Sequence, residues 1–148
     1  MTKDVNIAIR GMQFVDSLDG DEVETIQKGQ YYFKNGMHYV LYEEPAEHSD
    51  ENCKIMIKFN DSEVNVLRRG EISANMAFYK ENKNYTCYKT PYGSIMVGLD
   101  TRSVKLQETE KELQVQVDYS LDINYEFLAD CQLHIRITQK DEPVLLDS

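Results

Sequence analysis

The sequence contains no tryptophan, only three prolines and only three cysteines in 148 residues. With so little proline and no low-complexity segment, a proline-rich linker is excluded. Cys53, Cys87 and Cys131 are odd in number and far apart, which argues against a disulfide framework. Free thiols in a reducing compartment fit better, and each cysteine falls in a strand-like run as a small buried hydrophobe. No segment approaches the ~20 apolar residues of a membrane helix. The start, MTKDVNIAIRG, lacks the apolar stretch of a secretory signal. The expected location is cytoplasmic, with no membrane association.

Positive charge is also scarce. Lys and Arg total 16 against 26 Asp and Glu, for a net charge of -10. The deficit is even: residues 1–74 carry 8 basic and 14 acidic groups, and residues 75–148 carry 8 and 12. No basic stripe exists to neutralise phosphates, so a nucleic-acid partner is not expected. An anionic membrane surface would repel the chain. The acidic excess reads as a solvated surface that promotes solubility.

What is present is strand after strand. At 148 residues one domain spanning the chain can bury roughly 70% of its unfolded surface, so no staple is needed. From Leu113 to Ile123, six apolar residues alternate with five polar ones, which puts all six on one face of a strand. Cys131, Leu133, Ile135 and Ile137 repeat the pattern, and the two runs form a hairpin through Asn124–Asp130, with a short helical turn at Tyr125–Ala129. Asn35-Gly36 between Tyr31–Phe33 and Met37–Tyr42 predicts a type I′ hairpin turn. Cys53–Phe59, Val64–Val66, an inward set of Ile72, Ala74, Met76 and Phe78, then Tyr85–Thr90 and Ile95–Leu99 follow with turns between them. Apolar parity flips between Leu99 and Val104, which predicts a bulge. A similar flip between Ile9 and Met12 points to Gly11 as a bend. The expectation is an all-β antiparallel meander of about ten strands closed into a barrel, with a β-sandwich as the alternative.

Several residues in order carry a resemblance. They are Tyr39, Tyr42, Glu43 and Glu44, then Arg69-Gly70, Met76-x-Phe78, Tyr88-x-Thr90-Pro91-Tyr92-Gly93, Thr101, Tyr119-x-Leu121 and Asn124. From Gly11 to Thr138 the chain resembles the YwiB-like proteins, a family of uncharacterised calycin-like β-barrels from Firmicute bacteria. The resemblance implies a lipocalin-like barrel in a bacterial cytoplasm. It brings no activity and no site residues.

Catalytic signatures are missing. There is no phosphate-binding glycine loop, and Gly93-Ser94-Ile95 is not a nucleophile elbow. His38, His48 and His134 lack zinc spacing; His38 and His134 could meet across strands, but His134 is on the polar face of its strand. Glu43 and Glu44 are neighbours on a strand and so point to opposite faces; they read as a charged strand end. No cofactor or metal is expected, and an enzyme ranks below a binding or interaction protein. Ten tyrosines stand out. They favour strands in general, but Tyr88 and Tyr119 are candidates to line an interior. Arg68 shares parity with Val64 and Val66, so it points inward if the register holds; Arg69-Gly70 marks a nearby turn where it would instead reach water. An inward guanidinium demands a carboxylate, either the protein's own or a ligand's. Arg68, Tyr88 and Tyr119 are therefore the candidate ligand-binding residues for a small apolar or anionic molecule. The alternative is a non-catalytic interaction or regulatory module with a side-chain-filled core.

Overall fold

The structure is a computed structural model, and it describes residues 3–11, 24–45, 51–70 and 73–139. Every regular element among them is a strand. In order they are β1 (Lys3–Arg10), β2 (Glu24–Lys34), β3 (Met37–Glu44), β4 (Cys53–Phe59) and β5 (Glu63–Arg69). Then come β6 (Ala74–Tyr79), β7 (Asn82–Thr90), β8 (Gly93–Glu108), β9 (Glu112–Ile123) and β10 (Glu126–Gln139). All pair antiparallel in one ten-stranded sheet of order β6-β5-β4-β3-β2-β1-β10-β9-β8-β7. The expected meander barrel is thus what forms.

Local chemistry explains the turns. Asn35 and Gly36 take φ of 53° and 78°, the left-handed pair that a two-residue hairpin requires. The Asn60 carboxamide accepts from the amides of Ser62 and Glu63 and closes the β4–β5 turn. The expected bulge in β8 lies between Thr101 and Ser103. It moves the inward set from Val97, Leu99 and Thr101 to Val104 and Leu106.

The inward faces form one cluster. Ile7, Val40, Ile57, Phe59, Val64, Leu99, Val117 and Ile135 are fully excluded from solvent, with Val66, Phe78, Val97, Val115 and Leu133 nearly so. Burying a side chain of this size contributes about 1.5–3 kcal/mol. The outward faces carry polar networks: Arg102 bonds Asp130 at 2.9 Å, and Arg136 bonds Glu112 at 2.8 Å. Exposed pairs of this kind add little to stability.

The two ends of the sheet meet and nearly close the barrel. Between β6 and β7 the described residues form a single backbone bridge, Ser73 with Lys89, with both N–H···O bonds at 2.9 Å. Farther along, the Asn84 amide donates to the Ala77 carbonyl at 2.7 Å in place of a backbone rung. At the hairpin, Lys80 N–H turns away to the Ser62 carbonyl. This seam is the weak line of the cylinder.

Two expectations need correction. Tyr125–Ala129 is not helical: Asn124 and Tyr125 make a tight turn with positive φ, and β10 starts at Glu126 with a bulge between Phe127 and Ala129. Extending β10 satisfies more backbone groups than one helical turn would. Cys87 is exposed and Cys131 half-buried; only Cys53 is buried. Tyr88 takes the inward position of β7, so its neighbour Cys87 must face out. His134 is on the outer face, as its parity in β10 placed it, and bonds Gln114 there, while His38 is buried inside. Met12 and Ile72 lie outside the described residues.

Two outcomes follow from these faces. Val117→Lys buries an unpaired ammonium and should cost more than ~3 kcal/mol, enough to unfold much of the population. Gln116→Lys, one residue away on the outer face, should stay within about 0.5 kcal/mol. Thermal melts followed by circular dichroism compare them, and equal tolerance would reverse the assigned faces. Native thiol labelling followed by mass spectrometry should modify Cys87 within minutes and Cys53 at least ~100-fold more slowly.

Candidate functional site

Inward polar groups gather at the two ends of the barrel. The first set lies where β3 and β5 end and β4 begins. Alternation along β5 carries Arg68 to the inner face behind Val64 and Val66, and only 12% of its side chain is exposed. Its Nη1 donates to Glu44 Oε2 at 2.9 Å. Glu44 is the last inward residue of β3, in the series His38, Val40, Tyr42, Glu44. Strand β4 lies between the two, with Cys53 opposite Glu44 and Ile55 opposite Arg68, so the ion pair spans it. Burial alone would lower the Arg68 guanidinium, but the Glu44 charge and hydrogen bond outweigh it and hold its pKa above the ordinary value. Cys53 and Tyr88 are close enough to act on the guanidinium in the same direction. Burial, reinforced by Glu44, pushes the Tyr42 phenol well above its usual range.

Of the two directions the sequence left open for Arg68, the structure has the inward one, and its anionic partner is a protein carboxylate. Tyr88 is also inward, with 1% exposed, and it stands beside Arg68. Tyr119 is inward and equally buried but belongs to another group. It pairs in register with Thr101 and Cys131, and Thr101 pairs with Asn82, six residues along β7 from Tyr88. Its ring meets Phe78 edge-on at 4.7 Å. Burial raises its phenol far above the ordinary value, and a hydrogen bond to Cys131 adds to this. The Thr101 hydroxyl nearby is buried without a hydrogen-bond partner among the described residues. Arg68 and Tyr88 therefore form one constellation, and Tyr119 marks the middle of the barrel.

The second set, at the opposite end, was not singled out from the sequence. His38 Nδ1 and the Tyr31 hydroxyl are 2.8 Å apart, and Phe33 and Phe59 pack on the imidazole. Burial lowers the His38 pKa and favours the neutral imidazole, and Glu108 partly opposes it. A cleft of about 140 Å³ opens beside Tyr31, between Glu108, Leu113, Ile137, Val5 and Lys3. That is close to the size of a cavity that holds benzene. It lies away from Arg68. Inward parity along β2 and β3 is the signal that would have found Tyr31, His38 and Glu44. Glu44 was read only as a strand end because its partner comes from a different hairpin. Among the described residues, no three His, Cys, Asp or Glu side chains are grouped to hold a metal ion.

Known proteins share this architecture. The chain is 26% identical over 110 residues to the uncharacterized beta-barrel protein YwiB of Bacillus subtilis (strain 168), covering 73% of this chain and 76% of that protein. The crystal structure of YwiB from Bacillus subtilis superposes with a TM-score of 0.74 at 19% identity, covering 93% of this chain and 92% of that one. Residues 7–135 match the domain of unknown function DUF1934. That match takes in β2 to β9, half of β1 and most of β10, with Arg68, Glu44, Tyr88 and Tyr119 inside it, and the chain belongs to the DUF1934 family of β-barrel proteins.

Proposed function

We propose that this protein is a calycin-like binding barrel of the bacterial cytoplasm that takes a small anion-bearing organic molecule at its Arg68 end. The observation that carries the reading is an inward guanidinium, largely shielded from water, whose carboxylate partner is the more exposed of the two: 27% of the Glu44 side chain is accessible against 12% for Arg68. A ligand carboxylate can replace Glu44 on Arg68, exchanging one charge-assisted hydrogen bond for another while Glu44 turns to water. Tyr88 supplies a hydroxyl beside the exchanged anion, and Ala74, Ile55 and Cys53 supply apolar contact. The middle of the barrel is packed with Ile57, Val66 and Leu99, so the favoured ligand has a short apolar body rather than a long acyl tail.

A second reading rests on a different observation. The rings of Tyr85 and Tyr125 meet at a tilt of 47°, 5.2 Å apart, on the outside of the barrel. Tyr125 is 68% and Phe127 65% exposed, and Leu128 follows. Exposed apolar clusters of this kind occur at protein contacts. A filled barrel presenting such a patch is an interaction module.

Calorimetry with butyrate, hexanoate and the matching alcohols separates the readings. Wild type should bind the carboxylates, and Arg68→Met should weaken them about tenfold or more while leaving the alcohols within about twofold. Native mass spectrometry of freshly purified protein should show a retained small molecule. Bare protein with no carboxylate binding would leave the interaction module as the function.

A further inference from the structure

Arg68, Tyr88 and Cys53 are largely shielded from water, with 12%, 1% and 2% exposed, so a ligand that reaches them needs a way in. The sheet is asymmetric in how it closes. On one side β1 and β10 share a ladder running from Val5–Gln139 to Arg10–His134. On the other side β6 and β7 share the Ser73–Lys89 bridge and the Asn84–Ala77 side-chain bond. Each of these strands has a full ladder on its other flank: β6 along β5 from Glu63–Tyr79 to Arg68–Ala74, and β7 along β8 from Asn82–Thr101 to Thr90–Gly93. Among the described residues, parting them breaks two backbone bonds and one side-chain amide bond, while each strand stays attached to its own neighbour. No other pair of adjacent strands among those residues shares so few backbone bonds, and the free energy of a local opening follows the hydrogen bonds broken and the apolar surface exposed.

The position of the seam matters as much as its weakness. Ser73 precedes Ala74, whose partner across β5–β6 is Arg68. Lys89 follows Tyr88. The bridge is thus a clasp directly beside the two candidate ligand contacts. Ser73 is itself tied back by its hydroxyl, which donates to the Gly70 carbonyl at 3.2 Å. Gly70 lies against Cys53, so closely that a Cβ there would come within 2.7 Å of Cys53 Sγ. Releasing the clasp loosens the tie between Ser73 and Gly70 and uncovers Arg68, Tyr88 and Cys53 together.

We infer that the barrel opens along the β6–β7 seam, with the Ser73–Lys89 bridge as its clasp, and that this is the route by which a compact carboxylate of a few carbons reaches Arg68. The choice of ligand rests on the binding reading above; the opening itself does not. An apolar chain can slide between the parted strands while its carboxylate is handed from the Lys89 side of the seam to the guanidinium. The outward Lys89, on the rim of the seam, provides a first contact for an anion on a protein that is otherwise acidic.

The test uses the free protein, so it does not depend on a ligand. Hydrogen exchange should show the seam amides of β6 and β7 exchanging at least about 100-fold faster than those in the centre of β9 and β10. Asn84→Ala should raise seam exchange and Cys53 labelling about fivefold or more, with the chemical denaturation midpoint nearly unchanged. A Ser73→Cys/Lys89→Cys pair in a Cys87→Ser background, once oxidised, should slow Cys53 labelling at least about tenfold. It should also slow butyrate association with little change in affinity. Seam amides that exchange as slowly as those of β9 and β10, or Cys53 labelling indifferent to the locked clasp, would overturn the inference. Seam opening without any carboxylate binding would sustain the gate and remove the binding reading. Unslowed butyrate binding to the locked protein would sustain the binding reading and remove the route.

Discussion

The ladder between β1 and β10 is the constraint on which the rest depends. Every other strand pairs with its neighbour in sequence, and most are joined to it by a short turn. Such local pairs lose little loop entropy when they form. By themselves they would give two open sheets, β1 to β6 and β7 to β10, each with one apolar face in water. Pairing Ile7 with Ile137 and Ile9 with Ile135 joins them and turns both apolar faces inward. The closure entropy is that of nearly the whole chain, and it is offset by one shared core that includes Ile7, Ile135, Val40 and Leu133. Closure at β1–β10 then leaves β6 and β7 facing each other across a seam whose backbone pairing is minimal.

Polar groups inside a barrel are costly unless paired, and their placement follows that cost. Arg68–Glu44 and Tyr31–His38 lie toward the ends, where water and strand termini share the desolvation. The middle holds hydrocarbon, with Tyr119 bonded to Cys131 and with Thr101 at the bulge. An ion pair that is only part-buried is a weak source of stability, since the Coulomb gain and the desolvation cost nearly cancel. The Arg68–Glu44 pair fixes geometry instead, linking β3 to β5 over β4 and holding a guanidinium inside the rim. The same near-cancellation makes Glu44 exchangeable for another carboxylate.

Much of the fold was legible because strand alternation is a local signal. The faces of β4, β9 and β10, the Asn35-Gly36 turn and the bulge after Thr101 could each be read within a few residues. The parity of Arg68 with Val64 and Val66 could be read in the same way, but the Arg69-Gly70 turn beside it left its direction open. Errors arose where two local signals competed. Cys87 looked like core material, but Tyr88 beside it had the stronger claim to the interior. Tyr125–Ala129 looked free to coil because its apolar residues do not alternate, and the reason is the bulge at Phe127 together with the outward aromatic surface.

The sequence by itself determined which side chains face inward and where the chain turns, because both depend on the period of two and on backbone conformations open to asparagine and glycine. Only the tertiary structure decided which strands stand next to each other around the cylinder. Glu44 and Arg68 lie 24 residues apart in different hairpins, and their meeting depends on the register of β4 between them. Register across several strands is summed from pairings that no single segment encodes. For the same reason the location of the seam, and with it the placement of Arg68 and Tyr88 beside the weakest joint of the barrel, belongs to the closed sheet rather than to any stretch of the chain.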